Sequence, residues 1–187
     1  MNVKNIIDHV FVTSDHHFLS WLNCKWSFIQ TFTPEQEFEL VKKWNEVVSK
    51  DDIVIYAGDF VDSNDKDDLI NIRNELNGKI ILVKGNHDTF SNDVYEDVFD
   101  DVYDKLDLED IKVSIVHDSY EDVRYGWKRI YGHFHRGYSP FSQNMIKDSY
   151  CCCVSRNNGY PVKLSKILEQ IDLVQIDLVK NLKEILK

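Results

Sequence analysis

A chain of 187 residues, 43% of them hydrophobic and 29% charged, has the composition of one globular domain and leaves no room for a second catalytic domain. No apolar run approaches the ~20 residues of a membrane span, and the N-terminus lacks the apolar centre of a secretory signal, so we expect a cytoplasmic protein without membrane contact. The net charge of −10 argues against binding of long nucleic acid, which requires many Lys and Arg residues against phosphates.

The first half of the chain alternates strand and helix patterns. Residues 10–13 form a β-rich run, and runs 53–57 and 80–83 are continuously apolar, as in strands covered on both faces. Thr33 and Gln36 form a capping box with Pro at the first helical position, which predicts a helix to about Lys50. Its apolar stripe is expected to comprise Phe38, Val41, Trp44 and Val48. Residues 69–76 predict a second helix, stopped by Gly78.

The second half of the chain continues with strands. Residues 94–99 suggest a short amphipathic helix, and residues 112–116 and 129–131 predict strands. Residues 151–155 and 160–164 resemble a closing hairpin around the turn 156–159, whose Asn-Gly content favours a tight turn. Three contiguous cysteines, at 151–153, suit neither a disulfide framework nor a zinc ribbon, and predict buried thiols on a strand.

From Ser165 onward the sequence predicts a long amphipathic helix, about 165–186, that closes a single domain spanning 1–187. Helices in domains of this size average ~11–12 residues, so this one is long. We expect it to pack across the sheet. The alternative is that its far end pairs with a second copy of the chain to form a homodimer.

Polar side chains follow one predicted strand after another. Of the seven histidines, five lie at or just beyond the end of a predicted strand: His17, His87, His117, His133 and His135. Asp15, Asp59 and Asn86 follow strands in the same way, at the sheet edge where open α/β folds place their ligands. Imidazole, carboxylate and amide together, without thiolate, suit Mn, Fe, Zn or similar divalent ions.

The number of candidate ligands bears on how many ions are held. One zinc ion needs only three or four such ligands, whereas two ions that share a bridging carboxylate account for the surplus. Each motif alone is weak evidence, because Asp-x-His and Gly-Asp are common in turns. Gly132-His133-Phe134-His135 is more specific, since it places two imidazoles on one face of an extended segment.

These residues resemble the calcineurin-like metallophosphoesterase family, in particular its small single-domain bacterial and phage-type members. Five motifs match in order, from about Phe11 to the strand pair near Leu164: Asp15-x-His17, Gly58-Asp59, Gly85-Asn86-His87-Asp88, His117 and Gly132-His133-x-His135. The resemblance implies an α/β fold, a four-layer αββα sandwich of two mixed β-sheets, with a dinuclear metal site at the carboxyl ends of the strands.

The resemblance also implies a role for each matched residue. Asp15, His17 and His135 would hold the first metal, Asn86, His117 and His133 the second, and Asp59 would bridge them. His87 would be the catalytic imidazole, with Asp88 hydrogen-bonded to it and Asp62 in support. The fourth motif usually reads His-Gly, whereas Asp118 follows His117 here. This extra carboxylate would either repel an anionic substrate or orient His117.

The function expected from this resemblance is hydrolysis of a small, nucleotide-like phosphodiester or phosphomonoester by attack of a metal-bridging hydroxide. We expect two divalent ions, Mn²⁺ in the first place, with Fe, Zn or Ni as alternatives. Aromatic residues between Phe18 and Phe32, including Trp21, Trp26 and Phe28, could wall a substrate pocket or simply pack on the core.

Two other functions fit the same residues. A non-catalytic scaffold of this fold would bind a protein partner, although such a protein is expected to lose ligands, and none of the ligand positions is missing here. A mononuclear zinc hydrolase would hold one ion per chain and cleave carboxylic esters but not phosphoesters.

Overall fold

The computed structural model describes residues 7–23, 32–135 and 148–171. Their strands form two mixed sheets. The first has the order β4-β3-β2-β1-β9, in which β9 is antiparallel to β1 and the others run parallel. The second has the order β5-β6-β7-β8, with β5 antiparallel to β6. The predicted α/β fold of two mixed sheets is confirmed.

The bounds of the elements follow the sequence order. The strands of the first sheet are β1 Val10–Thr13, β2 Ile53–Tyr56, β3 Lys79–Val83, β4 Asp101–Tyr103 and β9 Val162–Lys163. Those of the second are β5 Leu106–Leu108, β6 Val113–Val116, β7 Lys128–Tyr131 and β8 Ser149–Cys151. The helices are α1 Ser20–Asn23, α2 Pro34–Val47, α3 Lys66–Glu75, α4 Asn92–Glu96 and α5 Leu164–Gln170.

The core has two apolar layers, one on each face of the first sheet. Val12 and Ile55 face the second sheet and pack in one cluster with its Ile115. Side chains of alternate residues point to opposite faces of a strand, so Val54 packs instead with Trp44 of α2. Each such side chain, once fully buried, contributes about 1.5–3 kcal/mol to folding.

Helix α2 begins as predicted but turns a different face inward. Thr33 and Gln36 form the expected capping box. Phe38, however, is 67% exposed, and Glu37 is buried. The Glu37 carboxylate accepts hydrogen bonds from the Leu19 backbone N–H (2.6 Å) and from the Trp21 indole (3.2 Å). A buried carboxylate needs such donors, so the residues after β1 determine which face of the helix is covered.

The predicted hairpin near the C-terminus is wrong. Strand β8 pairs with β7 in the second sheet, whereas β9 pairs with β1 in the first. Between them Val154–Arg156 forms a 3-10 turn, and both Asn158 and Gly159 have positive φ. The Asn-Gly signal correctly marks a turn, but turn chemistry is local and does not specify which strands pair. The chain uses this turn to cross from one sheet to the other.

The predicted C-terminal helix is described only at its start. Leu164, Ile167 and Leu168 of α5 join the core between the sheets. The remainder of the predicted helix, beyond Ile171, lies outside the described residues, and with it the predicted dimer contact. Within the described ranges, no helix combines the length and apolar character that crossing a membrane requires.

Candidate metal centre

The candidate ligands lie in loops that follow strands β1, β2 and β3 of the first sheet and β6 and β7 of the second. These loops hold one another through backbone hydrogen bonds. The Asp15 N–H donates to Gly58 O (3.0 Å), and the His17 N–H donates to Asp59 O (3.1 Å). Across the two sheets, the His133 N–H donates to the Asp15 carboxylate (2.9 Å). The edge therefore combines loops from both sheets in one site.

Four of these residues have a left-handed backbone that side chains rarely adopt. Their φ angles are 60° at Asp15, 45° at His17, 60° at Asp59 and 66° at His133. Each non-glycine residue held in such a region costs on the order of 1–3 kcal/mol, and such residues cluster at functional sites. The loops here are shaped for the direction of their side chains at the expense of backbone energy.

One group of donors, which we call the first donor set, consists of Asp15, His17, His135 and Asp59. The Nε2 atoms of His17 and His135 lie 3.2 Å apart. His135 Nε2 lies 3.6 Å from Asp15 Oδ1, and His17 Nε2 lies 3.5 Å from Asp59 Oδ2. All four side chains are buried.

The second donor set consists of Asn86, His117, His133 and again Asp59. Asn86 Oδ1 lies 3.0 Å from His117 Nε2 and 3.1 Å from His133 Nδ1. The two imidazole nitrogens are 3.2 Å apart, and Asp59 Oδ2 lies 3.2 Å from His117 Nε2. The same Asp59 oxygen thus lies beside both donor sets, as a bridging ligand requires.

The spacing of these atoms fits divalent ions. Nitrogen and oxygen ligands bind such ions at about 2.0–2.2 Å, so ligand atoms around one ion stand roughly 3.0–3.6 Å apart. The distances within both donor sets fall in that range. Uncharged imidazole with carboxylate and amide oxygen is also the donor chemistry of Mn, Fe and Zn sites. Each set can therefore hold one ion.

The ring nitrogens on the far side of the imidazoles have hydrogen-bond acceptors. His117 Nδ1 donates to Ala57 O (2.9 Å), which leaves the lone pair on Nε2 for an ion. His17 Nδ1 lies 3.2 Å from both oxygens of Asp62. This orientation rules out Asp118 as the group that orients His117, since the Asp118 carboxylate accepts the Tyr120 N–H instead (2.9 Å).

Asp59 and His117 form the strongest charge pair of the site. Burial alone would lower the pKa of His117, but the Asp59 hydrogen bond and the charges of Asp15 and Asp59 raise it to about 10. Burial alone would raise the pKa of Asp59, whereas the hydrogen bond and charge of His117 lower it to about 2. Without an ion, a proton on His117 balances the Asp59 carboxylate.

His87 lies beside the first donor set, with a carboxylate partner other than the predicted one. Its Nδ1 is 3.3 Å from Asp62 Oδ1, and its ring meets that of His17 edge-on at 5.0 Å. The hydrogen bond with Asp62 is the largest contribution that raises the pKa of His87. The side chain is 30% exposed, so it faces the solvent from which a substrate arrives.

Asp88 does not hydrogen-bond His87, and that predicted contact is wrong. Its carboxylate accepts three backbone N–H groups, from Asp59 (2.8 Å), Phe60 (3.0 Å) and Gly85 (2.7 Å). Asp88 thereby joins the loop after β3 to the loop after β2, and it holds the backbone from which Asp59 projects. Its geometry is that of a residue that positions Asp59.

Two neighbours of the site carried no recognisable sequence signal. The Arg156 guanidinium donates to the backbone carbonyls of Phe134 and of His135 (3.1 Å for the latter), which fixes the loop after β7. Cys153 Sγ lies within 4.8 Å of ligand atoms of Asp15 and His135. The sequence predicted a site without thiols; the structure places one beside the first donor set.

The predicted aromatic wall around residues 18–32 is only partly described. Phe18 is buried and packs with the core, so the core interpretation holds for it. Trp21 is 44% exposed but donates its indole N–H to Glu37. Trp26 and Phe28 lie outside the described residues.

Comparison with known proteins agrees with this geometry. The chain is 28% identical over 177 residues to the uncharacterized protein MJ1445 of Methanocaldococcus jannaschii, a match that covers 87% of this chain and 91% of that protein. It superposes with a TM-score of 0.65 on a crystal structure of the protein of unknown function AQ665 from Aquifex aeolicus. That match is 21% identical and covers 86% of this chain and 98% of the other, and it bears on the fold alone. Residues 9–167 match the family model described as calcineurin-like phosphoesterase, and the chain therefore belongs to that family.

Proposed function

We propose that the protein is a phosphoesterase that holds two divalent metal ions, Mn²⁺ before Fe, Zn or Ni, and hydrolyses small phosphodiesters or phosphomonoesters. The observation that carries the proposal is the position of Asp59 Oδ2, 3.5 Å from His17 Nε2 and 3.2 Å from His117 Nε2. A carboxylate oxygen shared by two donor sets serves two ions close together, and a site for one ion has no use for it.

When bound, two such ions supply Lewis-acid charge that activates water and neutralises the oxygens of a phosphoryl group. In this proposal Asp15, His17 and His135 hold one ion, Asn86, His117 and His133 hold the other, and Asp59 contacts both. Asp62 orients His17 through Nδ1 and Asp88 fixes the backbone of Asp59.

His87 is the proposed general acid. Its Nδ1 faces Asp62, so its Nε2 is available to the leaving oxygen, and the raised pKa keeps a proton on the ring near neutral pH. Asp62 therefore serves two imidazoles, as an orienting partner of His17 and as the charge partner of His87.

The direct test is a metal analysis followed by a panel of p-nitrophenyl mono- and diesters, nucleotides and cyclic nucleotides with Mn, Ni, Zn and Mg. We expect about two ions per chain and hydrolysis of at least one class of phosphoester. One ion per chain together with cleavage of carboxylic esters alone would instead identify a mononuclear zinc hydrolase.

Replacing His87 by Ala is expected to lower turnover by about 10²–10⁴-fold while leaving the metal content unchanged, because the ring donates a proton but binds no ion. The measurement is turnover of the best substrate alongside metal analysis of the same sample. His9→Ala is the matched control, since the side chain of His9 is 72% exposed and its ring contacts Asp52. Unchanged turnover in the metal-loaded His87 variant would remove the proposed role.

Metal binding is expected to release protons. Because its pKa is raised to about 10, His117 carries a proton at neutral pH in the metal-free protein, and an ion can use Nε2 only after that proton leaves. The apparent metal affinity should therefore rise as the pH rises from 6 to 8, by up to ~10-fold per pH unit for each proton displaced.

The measurement is the signal of a pH-indicator dye when Mn²⁺ is added to the protein in weak buffer at several pH values. His117→Asn should release at least one proton fewer, and His9→Ala should behave as the unmodified protein. Tight binding without proton release would contradict the assignment of His117 as a ligand.

A further inference from the structure

An exposed aromatic pair lies next to the second donor set. Phe134, between the two histidines of the last motif, packs its ring at 5.6 Å from the His133 ring and at 6.1 Å from the Tyr131 ring. Tyr120 meets Phe134 edge-on at 6.0 Å. Phe134 also packs on the apolar cluster of Val116 and its neighbours, so it forms a fixed base for Tyr120.

Tyr120 is held in place yet remains open to solvent. Its N–H donates to Asp118 Oδ1 (2.9 Å), and the Glu121 N–H donates to Asp118 O (3.1 Å), which closes a tight turn directly after His117. The side chain is nonetheless 78% exposed. A large ring that is fixed from below and uncovered above costs free energy in water unless another flat apolar group covers it.

The distance to the metal centre suits a nucleotide. The two ring contacts place the Tyr120 centroid no more than about 12 Å from that of His133, and the Phe134 ring lies between them. A phosphate held at the donor sets could then extend its ribose past Phe134 and bring a base against Tyr120. The departure at Asp118, which builds this turn, is thereby accounted for.

We propose that Tyr120 and Phe134 form a stacking platform for the aromatic portion of the substrate, and that the preferred substrates are nucleoside phosphoesters rather than esters of aliphatic alcohols. The inference rests on the proposed function, since a phosphoryl group at the metal centre anchors the ligand. Stacking on an aromatic side chain tolerates every base, because every base presents a π face. The platform therefore selects a class of substrate and not one nucleotide.

The test is a comparison of two non-hydrolysable ligands by calorimetry on the full chain loaded with Mn²⁺. The probes are phosphonate analogues of AMP and of ribose 5-phosphate, in which a methylene group replaces the ester oxygen. We expect the AMP analogue to bind roughly 5- to 150-fold more tightly, the range that stacking of one base contributes. Tyr120→Ala should bring this ratio close to one, and Tyr120→Phe should preserve it.

Tyr125→Ala is the matched control, because Tyr125 lies on the same loop, is fully exposed and should leave the ratio unchanged. A ratio near one in the unmodified protein, or a ratio that Tyr120→Ala leaves intact, would overturn the platform. The binding ratio does not depend on turnover. Absence of hydrolysis across the phosphoester panel would therefore count against the proposed function while the ratio still decides the platform.

Discussion

Replacing Asp59 by Asn is expected to reduce turnover by at least ~10³-fold and to lower the metal content from about two ions per chain to one or fewer. The Asp59 pKa is lowered to about 2, so its carboxylate is charged at every working pH, and one of its oxygens lies beside both donor sets. Asn keeps the size and one oxygen but removes the negative charge that two neighbouring cations require.

The measurement is metal analysis with turnover on the same preparation. Asp97→Asn is the matched control, since the Asp97 side chain is 69% exposed and forms a surface ion pair with Lys66. Such a surface pair contributes ~0–1 kcal/mol and should not affect the site. Two ions per chain and near-normal turnover in the Asp59 variant would show that the shared oxygen is not a bridging ligand.

Replacing Gly85 by Ala is expected to have a comparable effect without removing any ligand. A Cβ at this position would lie 2.6 Å from the Asp59 backbone N and 2.9 Å from His117 Nδ1, closer than real side chains approach one another. Both neighbours are buried and fixed by hydrogen bonds, so the loops have to move apart. A displacement of about 1 Å in a catalytic group costs on the order of 10²-fold in rate, and overpacking costs about 1–3 kcal/mol of stability.

Gly126→Ala provides the comparison for this variant. Gly126 has a φ of +79°, and nothing lies within 4 Å of an added Cβ, so the change tests backbone strain away from the site. We expect Gly126→Ala to lower the melting temperature slightly with normal metal content, and Gly85→Ala to lose metal. A Gly85→Ala protein with normal metal affinity would show that the loops are not tightly packed.

The sequence was sufficient for the site because the signal was repeated. Each candidate ligand follows an apolar run, and the carboxyl ends of neighbouring parallel strands meet at one edge of a sheet. Any one of these motifs, such as Asp15-x-His17, could have been a turn. The order of all five along the chain made their convergence predictable, and the structure brings these side chains to one edge formed by both sheets.

Contacts between side chains and distant backbone could not be predicted in this way. Asp88 follows His87 directly, which suggests a pair, yet the turn directs the Asp88 carboxylate toward the N–H groups of Asp59 and Phe60. Arg156 donates to carbonyls of Phe134 and His135, some twenty residues earlier, and no spacing rule relates them.

Strand pairing and helix facing failed for a related reason. The apolar runs on both sides of residues 156–159 are equally suited to either sheet, so local chemistry could not decide between a hairpin and a crossover. The buried face of α2 is fixed by Glu37, whose partners lie sixteen and eighteen residues earlier. Such choices are made by tertiary contacts that override local preference.

The left-handed backbone at Asp15, His17, Asp59 and His133 has a consequence for protein engineering. Glycine, and to a lesser degree asparagine, adopts that conformation at little cost, so laboratory selection for heat resistance alone would favour these residues at each of the four positions. The survivors would be robust, well-packed proteins that can no longer capture an ion. A thermostable version of this protein should therefore be sought with a screen that rewards chemistry and endurance together.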